Sequence, residues 1–319
     1  MSSLGHDPPS VSVIIPVYND PEGIRTTLES LLEQTYPTNA TEIVVVDNGS
    51  DDETRSVVRT IAADHPDRIR LETEFDTQGS YAARNTGIRE SDGDYLAFID
   101  ADVVADSDWL EAAVAATQNH GVDYVGSRVE IERNGETFAG LYNELTGFPV
   151  ERYIERNEFA PTCALVVARD VISDVGEFDA ELVSGGDTEF GQRVAAAGYD
   201  LHYEPTARVI HPARTSLRSL LEKYVRIGRG IAQRQQKYPE RYETLSLWNP
   251  LTYVPPHPLR FHRNFGDEWD DLSYTDKLGL YGVGSLRRLA SAAGRLATHL
   301  ESDSSSSADD LGRTDERAT

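Results

Sequence analysis

Cysteine is almost absent from this chain of 319 residues, which contains only Cys163. A single cysteine excludes a disulfide within the chain and is typical of proteins from a reducing compartment. The apolar residues that follow it, 164–167, predict a strand. We therefore interpret Cys163 as an inert thiol in the core rather than as a nucleophile.

Lysine is also rare, and the balance of charge is strongly acidic. Three lysines occur among 30 basic residues, against 54 acidic residues and a net charge of −24. Such a lysine-poor, acid-rich surface resembles that of proteins from salt-accumulating halophiles, where screening weakens the repulsion between like charges. Because this surface repels polyanions, we expect no nucleic-acid partner.

Long apolar runs are missing as well. A membrane-spanning helix needs roughly 20 consecutive apolar residues. The longest uncharged run, residues 244–259, contains four prolines and cannot form such a helix. Residues 1–10 hold Pro8 and Pro9 but no apolar stretch, so we expect a flexible start without a signal peptide. These features predict a cytoplasmic protein.

The glycine-rich loops of two common nucleotide-binding folds are also lacking. A first apolar strand, residues 11–17, ends in Tyr18 and Asn19, where a dinucleotide-binding domain would carry G-x-G-x-x-G. A P-loop protein would carry G-x-x-x-x-G-K-[ST] at the same point. The sequence therefore excludes both folds for this part of the chain.

Strand and helix patterns alternate from the first strand onward. Three further strands are predicted at residues 42–46, 69–75 and 95–99. Helices are predicted between them, the first capped by Asn19 or Asp20. Alternating strands and helices with short links indicate an α/β fold with a doubly wound sheet.

Two acidic residues, Asp100 and Asp102, follow the strand at residues 95–99. Ligands of open α/β sheets bind beyond the carboxyl ends of the strands, so this pair lies where chemistry is expected. Mg2+ is typically held by carboxylates and substrate phosphates, which favours a metal-assisted reaction with a phosphate leaving group. The alternative interpretation is that both are loop acids in an acid-rich protein.

Several motifs occur in order, each at a strand end or a helix start: residues 13–19, 46–52, 79–87 with 93–102, 186–193, and His211. In this order they resemble family-2 glycosyltransferases of the GT-A fold, and the resemblance extends over residues 11–212. It implies a doubly wound mixed sheet with a C-terminal helical extension. It also implies an inverting, metal-dependent transfer of a hexose or hexuronic acid from a nucleoside-diphosphate donor, preferably a UDP sugar.

The resemblance implies roles for individual residues. Residues implied to bind the nucleotide sugar are Pro16, Tyr18, Asn19, Asp47, Ser50, Arg84 and Asp100. Among them, Asp47 would read the base edge, Arg84 would approach the base or diphosphate, and Asp100 would lie near the ribose. Asp102 would bind Mn2+ or Mg2+ between the phosphates, and His211 would be a further metal or phosphate contact. Structural roles for Asp47, in a turn, and for His211 remain the alternatives.

Two positions depart from the family pattern. Members usually carry an acidic pair before the helix near residue 186, with the second acid as the general base. Here the first position is Gly186, which leaves Asp187 as the predicted base and Glu189 as the alternative. Asp187 is also explained as a helix cap, which does not exclude catalysis. Asn48 stands where many relatives have another acid, which leaves the nucleobase open.

A basic segment in the last third of the chain contrasts with the acidic remainder. Residues 208–241 contain nine basic and two acidic residues. At about 100° per residue, residues 217–237 place apolar side chains on one half of a helix and basic ones on the other. Gly228 and Gly230 weaken this helix. It either packs on the catalytic domain with a solvated basic face or contacts anionic lipid or a lipid-phosphate acceptor.

The predicted organisation has four parts: a flexible start at 1–10, a catalytic domain at 11–214, a helical membrane- or acceptor-facing extension at 215–300, and a disordered acidic tail at 301–319. With the halophile-like composition, the resemblance extends to enzymes that elongate lipid-linked glycans for surface-protein N-glycosylation at the inner face of the cell membrane. Peripheral membrane contact is expected on that basis. Two other functions remain open: a nucleotidyltransferase of sugar phosphates, and a non-catalytic scaffold that binds nucleotide sugars.

Overall fold

The computed structural model describes residues 7–243 and 253–315. Its described residues contain one sheet of eight strands. In chain order the strands are β1 (Val11–Val17), β2 (Thr41–Asp47), β3 (Ile69–Thr73), β4 (Tyr95–Ile99), β5 (Val104–Ala105), β6 (Tyr124–Glu132), β7 (Ala164–Ala168) and β8 (Leu201–Pro212).

The first half of the sheet is parallel and the second half is mixed. β1 pairs in parallel with β2 and β4, and β3 pairs in parallel with β2. β7 runs antiparallel to β4 and β6, while β8 runs parallel to β6. The spatial order is β3-β2-β1-β4-β7-β6-β8-β5. The predicted doubly wound mixed sheet is confirmed.

Helices precede or follow most strands. They are α1 (Pro21–Leu32), α2 (Thr54–Asp64), α3 (Ser80–Arg89), α4 (Trp109–His120), α5 (Phe138–Thr146), α6 (Val150–Asn157), α7 (Arg169–Val175), α8 (Gly186–Ala196), α9 (Leu217–Lys237), α10 (Pro258–Phe261), α11 (Glu268–Asp271) and α12 (Tyr274–Asp315). The start of α1 matches the sequence prediction, because the Asp20 side chain accepts a hydrogen bond from the Gly23 N–H at 2.9 Å.

The chain forms two compact units. The first comprises the residues up to Glu132 together with Gly147–Glu181 and Gly186–Pro212, and it contains the whole sheet. The second comprises Arg133–Thr146, Leu182–Gly185 and the residues from Ala213 onward. The first unit ends at Pro212, and two segments within the range 11–214, Arg133–Thr146 and Leu182–Gly185, belong to the second unit.

Aromatic side chains fill part of the core of the first unit. The Phe98 and Phe178 rings meet edge to face, with centroids 5.3 Å apart, and Phe178 lies 4.5 Å from Phe190. Tyr81 stacks on Phe178 at 5.9 Å. These contacts hold α3 and α8 against β4. Cys163 is also buried, with 4% exposure, in agreement with its interpretation as a core thiol.

Close helix packing characterises the second unit. A Cβ atom on Gly228 would lie 2.0 Å from the Ser291 carbonyl oxygen, and one on Gly294 would lie 2.0 Å from the Val225 carbonyl oxygen. Only glycine allows α9 and α12 to approach this closely. The glycines that weaken α9 as an isolated helix are therefore required by its packing, and α9 is observed over the residues predicted, 217–237.

Two segments differ from the sequence expectation. The composition of residues 134–159 predicts an irregular, aromatic-containing segment, whereas the structure forms α5 and α6 there, because packing stabilises short helices whose β-branched and aromatic residues have modest helix propensity. α12 continues through Glu301 to Asp315, where the composition predicts disorder. A helix that has already been nucleated can be extended without burying apolar side chains. A composition poor in apolar residues therefore does not exclude a helix here.

A helix that crosses a membrane must be both long and apolar. Within residues 7–243 and 253–315, no helix combines the length and the apolar character that crossing a membrane requires. Most of the uncharged, proline-containing run at residues 244–259 lies outside the described residues.

Candidate active site

The carboxyl ends of β1, β2 and β4 lie at one edge of the sheet. The register pairs Val17 of β1 with Asp47 of β2. β8 runs in the same direction as β4, because β8 is parallel to β6 and two antiparallel steps separate β6 from β4. Asp100, directly after β4, and His211, near the end of β8, therefore lie along the edge where ligands of α/β sheets bind.

The turn after β1 is tied to the turn after β2. Asn19 has φ 50°, in the left-handed region that asparagine tolerates better than most residues. Its N–H donates to Ser50 Oγ at 2.9 Å, and its side chain exchanges two hydrogen bonds with Asp51 at 2.8 and 3.0 Å. The neighbouring Tyr18 side chain is 53% exposed and so remains available to a ligand.

Pro16 and Asp47 are less accessible than the resemblance implies. Pro16 is buried within β1, opposite Val46, where the pairing of β1 with β4 has already ended. Asp47 has no exposed surface: its carboxylate accepts from the Ser50 N–H at 3.2 and 3.3 Å and lies 3.6 Å from Arg55 Nε. In this conformation Asp47 stabilises a turn, and a nucleobase would reach it only after the turn moved.

Asn48 joins two loops through its side-chain amide. Its Nδ2 donates to the carbonyl oxygens of Glu74 and Thr77, both at 2.9 Å, and its Oδ1 accepts from Gly79 N–H at 2.6 Å and Gln78 Nε2 at 3.0 Å. An aspartate has no N–H group for the two carbonyls. The departure from the family pattern at Asn48 thus has a structural explanation that the sequence did not reveal.

Arg84 and Asp100 form an ion pair between α3 and the end of β4. The Arg84 guanidinium lies 2.6 Å from Asp100 Oδ1, and the two side chains are 4% and 36% exposed. The same guanidinium lies 5.6 Å from the centroid of the Tyr81 ring. The structure therefore brings together two predicted nucleotide-binding residues and leaves the carboxylate partly open to solvent.

Asp102 and His211 face each other across the loop after β4. His211 Nε2 lies 3.9 Å from Asp102 Oδ1, which is too long for a hydrogen bond. The other ring nitrogen, Nδ1, lies 2.9 Å from the Pro212 carbonyl oxygen. The ring also packs against Phe148, with centroids 5.6 Å apart. Phe148 thus supports His211, a contact that no sequence signal indicated.

Asp187, the predicted base, lies in the first turn of α8 and contacts Tyr81. The Tyr81 hydroxyl is 3.5 Å from Asp187 Oδ1 and 3.4 Å from its backbone nitrogen. Burial raises the pKa of Tyr81 well above its usual value, and the charge of Asp187 raises it further. The hydroxyl therefore keeps its proton and can donate it to the carboxylate.

Gly186 leaves room for the Tyr81 ring. A Cβ atom at Gly186 would lie 2.8 Å from two ring carbons of Tyr81. An acidic side chain at this position would therefore displace the ring. The space that a side chain at position 186 would need is occupied here by a tyrosine from α3, a contact that the sequence did not reveal.

Glu189, the alternative base, is fully engaged in an ion pair. Its two carboxylate oxygens accept from Arg193 Nε and NH2 at 3.0 and 2.9 Å, and its side chain is 3% exposed. Arg193 also donates to the carbonyl oxygens of Val175, Gly176 and Glu177 after α7. This network satisfies the carbonyl groups at the end of α7. The geometry therefore favours a structural role for Glu189 and leaves Asp187 as the acid nearer the candidate active site.

Comparisons with known proteins identify the family of this chain. The profile of glycosyl transferase family 2 matches residues 12–168. Glycosyltransferase AglE of Haloferax volcanii is 38% identical over 299 residues, which cover 92% of this chain and 98% of that protein. A Methanococcus voltae protein named dolichyl N-acetyl-alpha-D-glucosaminyl phosphate 3-beta-D-2,3-diacetamido-2,3-dideoxy-beta-D-glucuronosyltransferase is 24% identical over 68% of this chain and 71% of its own length.

A solved structure supports the fold. The mannosyltransferase PcManGT from Pyrobaculum calidifontis, in complex with GDP-Man and Mn2+, superposes with a TM-score of 0.63 at 21% identity, covering 92% of this chain and 88% of its own. Its GT-A architecture is that of the mixed sheet described above. The family profile, the near full-length relative and the shared fold show that this chain belongs to glycosyl transferase family 2.

Proposed function

We propose that the protein is an inverting, metal-dependent glycosyltransferase that moves a sugar from a nucleoside diphosphate to a hydroxyl of a lipid-linked glycan. The observation that carries the proposal is the position of Tyr81 between two groups of residues. Its ring contacts Arg84, which with Asp100 belongs to the side that would bind the donor (the donor side), and its hydroxyl contacts Asp187, the proposed base (the base side). A single side chain therefore joins groups suited to the leaving diphosphate and to the attacking hydroxyl.

Asp102 and His211 fit a divalent cation. A proton on Nδ1 satisfies the Pro212 carbonyl, which directs the lone pair of Nε2 toward Asp102, as in metal-binding histidines. A carboxylate together with phosphate oxygens is the usual arrangement for Mg2+ and related ions, and the imidazole would add one nitrogen ligand. When bound, Mn2+ or Mg2+ would supply Lewis-acid stabilisation of the charge on the departing diphosphate.

Donor binding would rely on charge and on one aromatic surface. Arg84 carries a buried positive charge, held by Asp100, at the edge where the diphosphate would lie. The exposed ring of Tyr18 offers a surface for a nucleobase, beside the turn that Asn19 and Ser50 fix. We keep UDP as the preferred nucleotide from the family resemblance, although the Pyrobaculum enzyme is in complex with GDP-Man.

Asp187 would act as the general base. It takes the proton of the acceptor hydroxyl while the acceptor oxygen bonds to the anomeric carbon and the bond to the diphosphate breaks, the electron pair leaving with the diphosphate. The Thr188 N–H donates to Asp187 Oδ1 at 2.9 Å, and the start of α8 stabilises the negative charge of this carboxylate before the reaction. Tyr81 holds the carboxylate in place.

Inversion follows from a single displacement. A retaining double displacement would need a second carboxylate as nucleophile. Glu189, the nearest acid along α8, is buried and bound at both oxygens by Arg193. This pairing supports one direct attack at the anomeric carbon, with inversion of its configuration.

The proposed acceptor rests on analogy with a relative, and the proposed location rests on an apolar surface of the second unit. The Methanococcus relative is named for transfer to a dolichyl phosphate sugar, and we propose an acceptor of that class in surface-protein N-glycosylation. On α12, five exposed leucines fall within an arc of about 80° at about 100° per residue. They are Leu278, Leu286, Leu289, Leu296 and Leu300. We propose that this apolar stripe contacts the inner face of the cell membrane, since salt weakens any attraction between charges.

Transfer to a synthetic acceptor tests the proposal. The purified protein in molar salt, with Mn2+, is given nucleoside-diphosphate hexoses and hexuronic acids and a polyprenyl-phosphate-linked sugar. We expect a lipid product whose new linkage, read by NMR, is inverted relative to the donor, and no product with Asp187→Asn. Pyrophosphate release from a nucleoside triphosphate and a sugar phosphate would indicate a nucleotidyltransferase instead. Donor binding without turnover would indicate a scaffold.

A further inference from the structure

A second group of metal-ligating side chains lies away from the donor site. His120 is the last residue of α4, and His202 and Glu204 lie near the start of β8. Because side chains alternate along a strand, His202 and Glu204 project from the same face of β8. One ligand atom from each of the three residues lies within 4.8 Å of the other two.

The spacing of these ligand atoms leaves room between them. His202 Nε2 lies 3.7 Å from Glu204 Oε2, longer than a hydrogen bond. The rings of His120 and His202 stack with centroids 4.2 Å apart. His202 and Glu204 are half-buried, whereas His120 is exposed and can rotate toward an ion. The three ligand atoms are thus close enough for one ion to reach them all, while His202 and Glu204 are too far apart for a direct hydrogen bond.

The backbone of β8 holds Glu204 in this position. Between Glu204 and Arg208 the strand bulges, since these two residues pair with consecutive residues of β6. The bulge places Thr206 beside Glu204, whose Oε1 accepts from the Thr206 N–H at 3.0 Å and from its Oγ1 at 2.7 Å. Oε2 is thereby directed toward His202. Such orienting hydrogen bonds are typical of carboxylates that bind metals.

We propose that His120, His202 and Glu204 form a binding site for a borderline-soft divalent cation of the Zn2+ class. Two imidazoles and one carboxylate are a known ligand set for Zn2+, with water in the fourth position. The donor site differs in chemistry, because Asp102 with substrate phosphates favours harder ions. The bound ion would connect the end of α4 to the start of β8.

The two sites are also separate in space. His202 pairs with Val125 and His211 with Ile131, so six residues of β6 separate the two registers. At about 3.3 Å per residue this is on the order of 20 Å along the strand. An ion at the new site therefore cannot share ligands with one at Asp102, and the inference stands whether or not the proposed function is correct.

Cobalt titration tests the site, because Co2+ in a tetrahedral nitrogen and oxygen site absorbs visible light. The full-length protein is stripped with a chelator and titrated with Co2+, then with Zn2+. We expect one tetrahedral Co2+ per chain, recognised by its visible absorption and displaced by Zn2+, and a Zn2+-dependent rise in melting temperature. His202→Ala and Glu204→Gln should each weaken binding by more than about tenfold.

Three variants keep the test decisive. His120→Ala removes an exposed ligand with little effect on packing, and it should also weaken Co2+ binding. His65→Ala, a histidine outside the cluster, and Asp102→Ala, at the donor site, should both leave the Co2+ spectrum unchanged. A spectrum that survives His120→Ala and His202→Ala would overturn the proposal, and so would one that Asp102→Ala abolishes.

Discussion

The donor side and the base side of the candidate active site are held by contacts of different strength. On the donor side, Arg84 meets Asp100 at 2.6 Å and Asn19 meets Ser50 at 2.9 Å. On the base side, Asp187 accepts from the adjacent Thr188 N–H at 2.9 Å, but the contact from another element, the Tyr81 hydroxyl of α3, reaches it only at 3.4 and 3.5 Å, the long limit of hydrogen bonding. The donor side is thus rigid before any substrate binds, whereas we expect the contact to Asp187 to shorten when the acceptor arrives.

This difference predicts two kinds of variant. Residues of the rigid side and its supporting network contribute to the free energy of unfolding as well as to binding. Residues of the base side contribute mainly to the rate.

Asp187→Asn should give the largest effect. An amide cannot accept the proton of the acceptor hydroxyl, so we expect kcat to fall by about 10²- to 10⁴-fold. Melting temperature and donor binding should stay near those of the natural protein. Turnover by mass spectrometry and binding by calorimetry check both parts, and unchanged kcat would remove Asp187 from the role of base.

Glu189→Gln should mainly affect stability. The change removes the charge that pairs with Arg193 at the end of α7, and we expect a loss of about 1 to 3 kcal/mol in the free energy of unfolding. Chemical denaturation in molar salt measures it. Turnover per folded molecule should change little, and a folded but inactive variant would instead identify Glu189 as the base.

Asn48→Asp tests the rigid loops beside the donor side. The aspartate would face the Glu74 and Thr77 carbonyl oxygens without a hydrogen to donate, and the expected cost is about 1 to 3 kcal/mol. Asn48→Ser, which is smaller but can still donate one hydrogen bond, is a control. If Asn48→Asp were as stable as the natural protein, these loops would not depend on the amide.

Tyr81→Phe should give the smallest effect. It keeps the ring that packs against Gly186 and removes only two long hydrogen bonds, so we expect kcat to fall by a factor of about 2 to 10. The KM for the donor should not change. Steady-state kinetics separates the two constants, and a raised donor KM with unchanged kcat would place Tyr81 on the donor side instead.

The sequence predicted the strands and the ends at which the site lies, because buried strands and the acids that follow them leave a local pattern. Arg84 and Asp100 were both predicted, but their pairing depends on the packing of α3 beside β4. The burial of Asp47 and the amide contacts of Asn48 depend on loops that meet only in the folded chain. Tyr81 was missed for the same reason. Gly186 lies 105 positions further along the chain, and the Tyr81 ring occupies the space that a side chain at position 186 would fill.

In the second unit, the sequence predicted a helix correctly but not the way it packs. The amphipathic pattern of residues 217–237 predicted α9 correctly, yet gave no sign that Gly228 and Gly294 permit close packing on α12. Period and propensity describe a helix by itself. They do not describe the neighbour that determines which of its residues must be small.

Calorimetric titration of nucleoside diphosphates in molar salt, with and without Mn2+ or Mg2+, tests the central claim most directly. The natural protein and Asp102→Ala are compared under the same conditions. We predict binding of one nucleotide that requires the cation and is lost in Asp102→Ala, while the melting temperature of the variant stays close to that of the natural protein. Equal binding by both proteins, or binding without any cation, would contradict the assignment of Asp102 to the donor site.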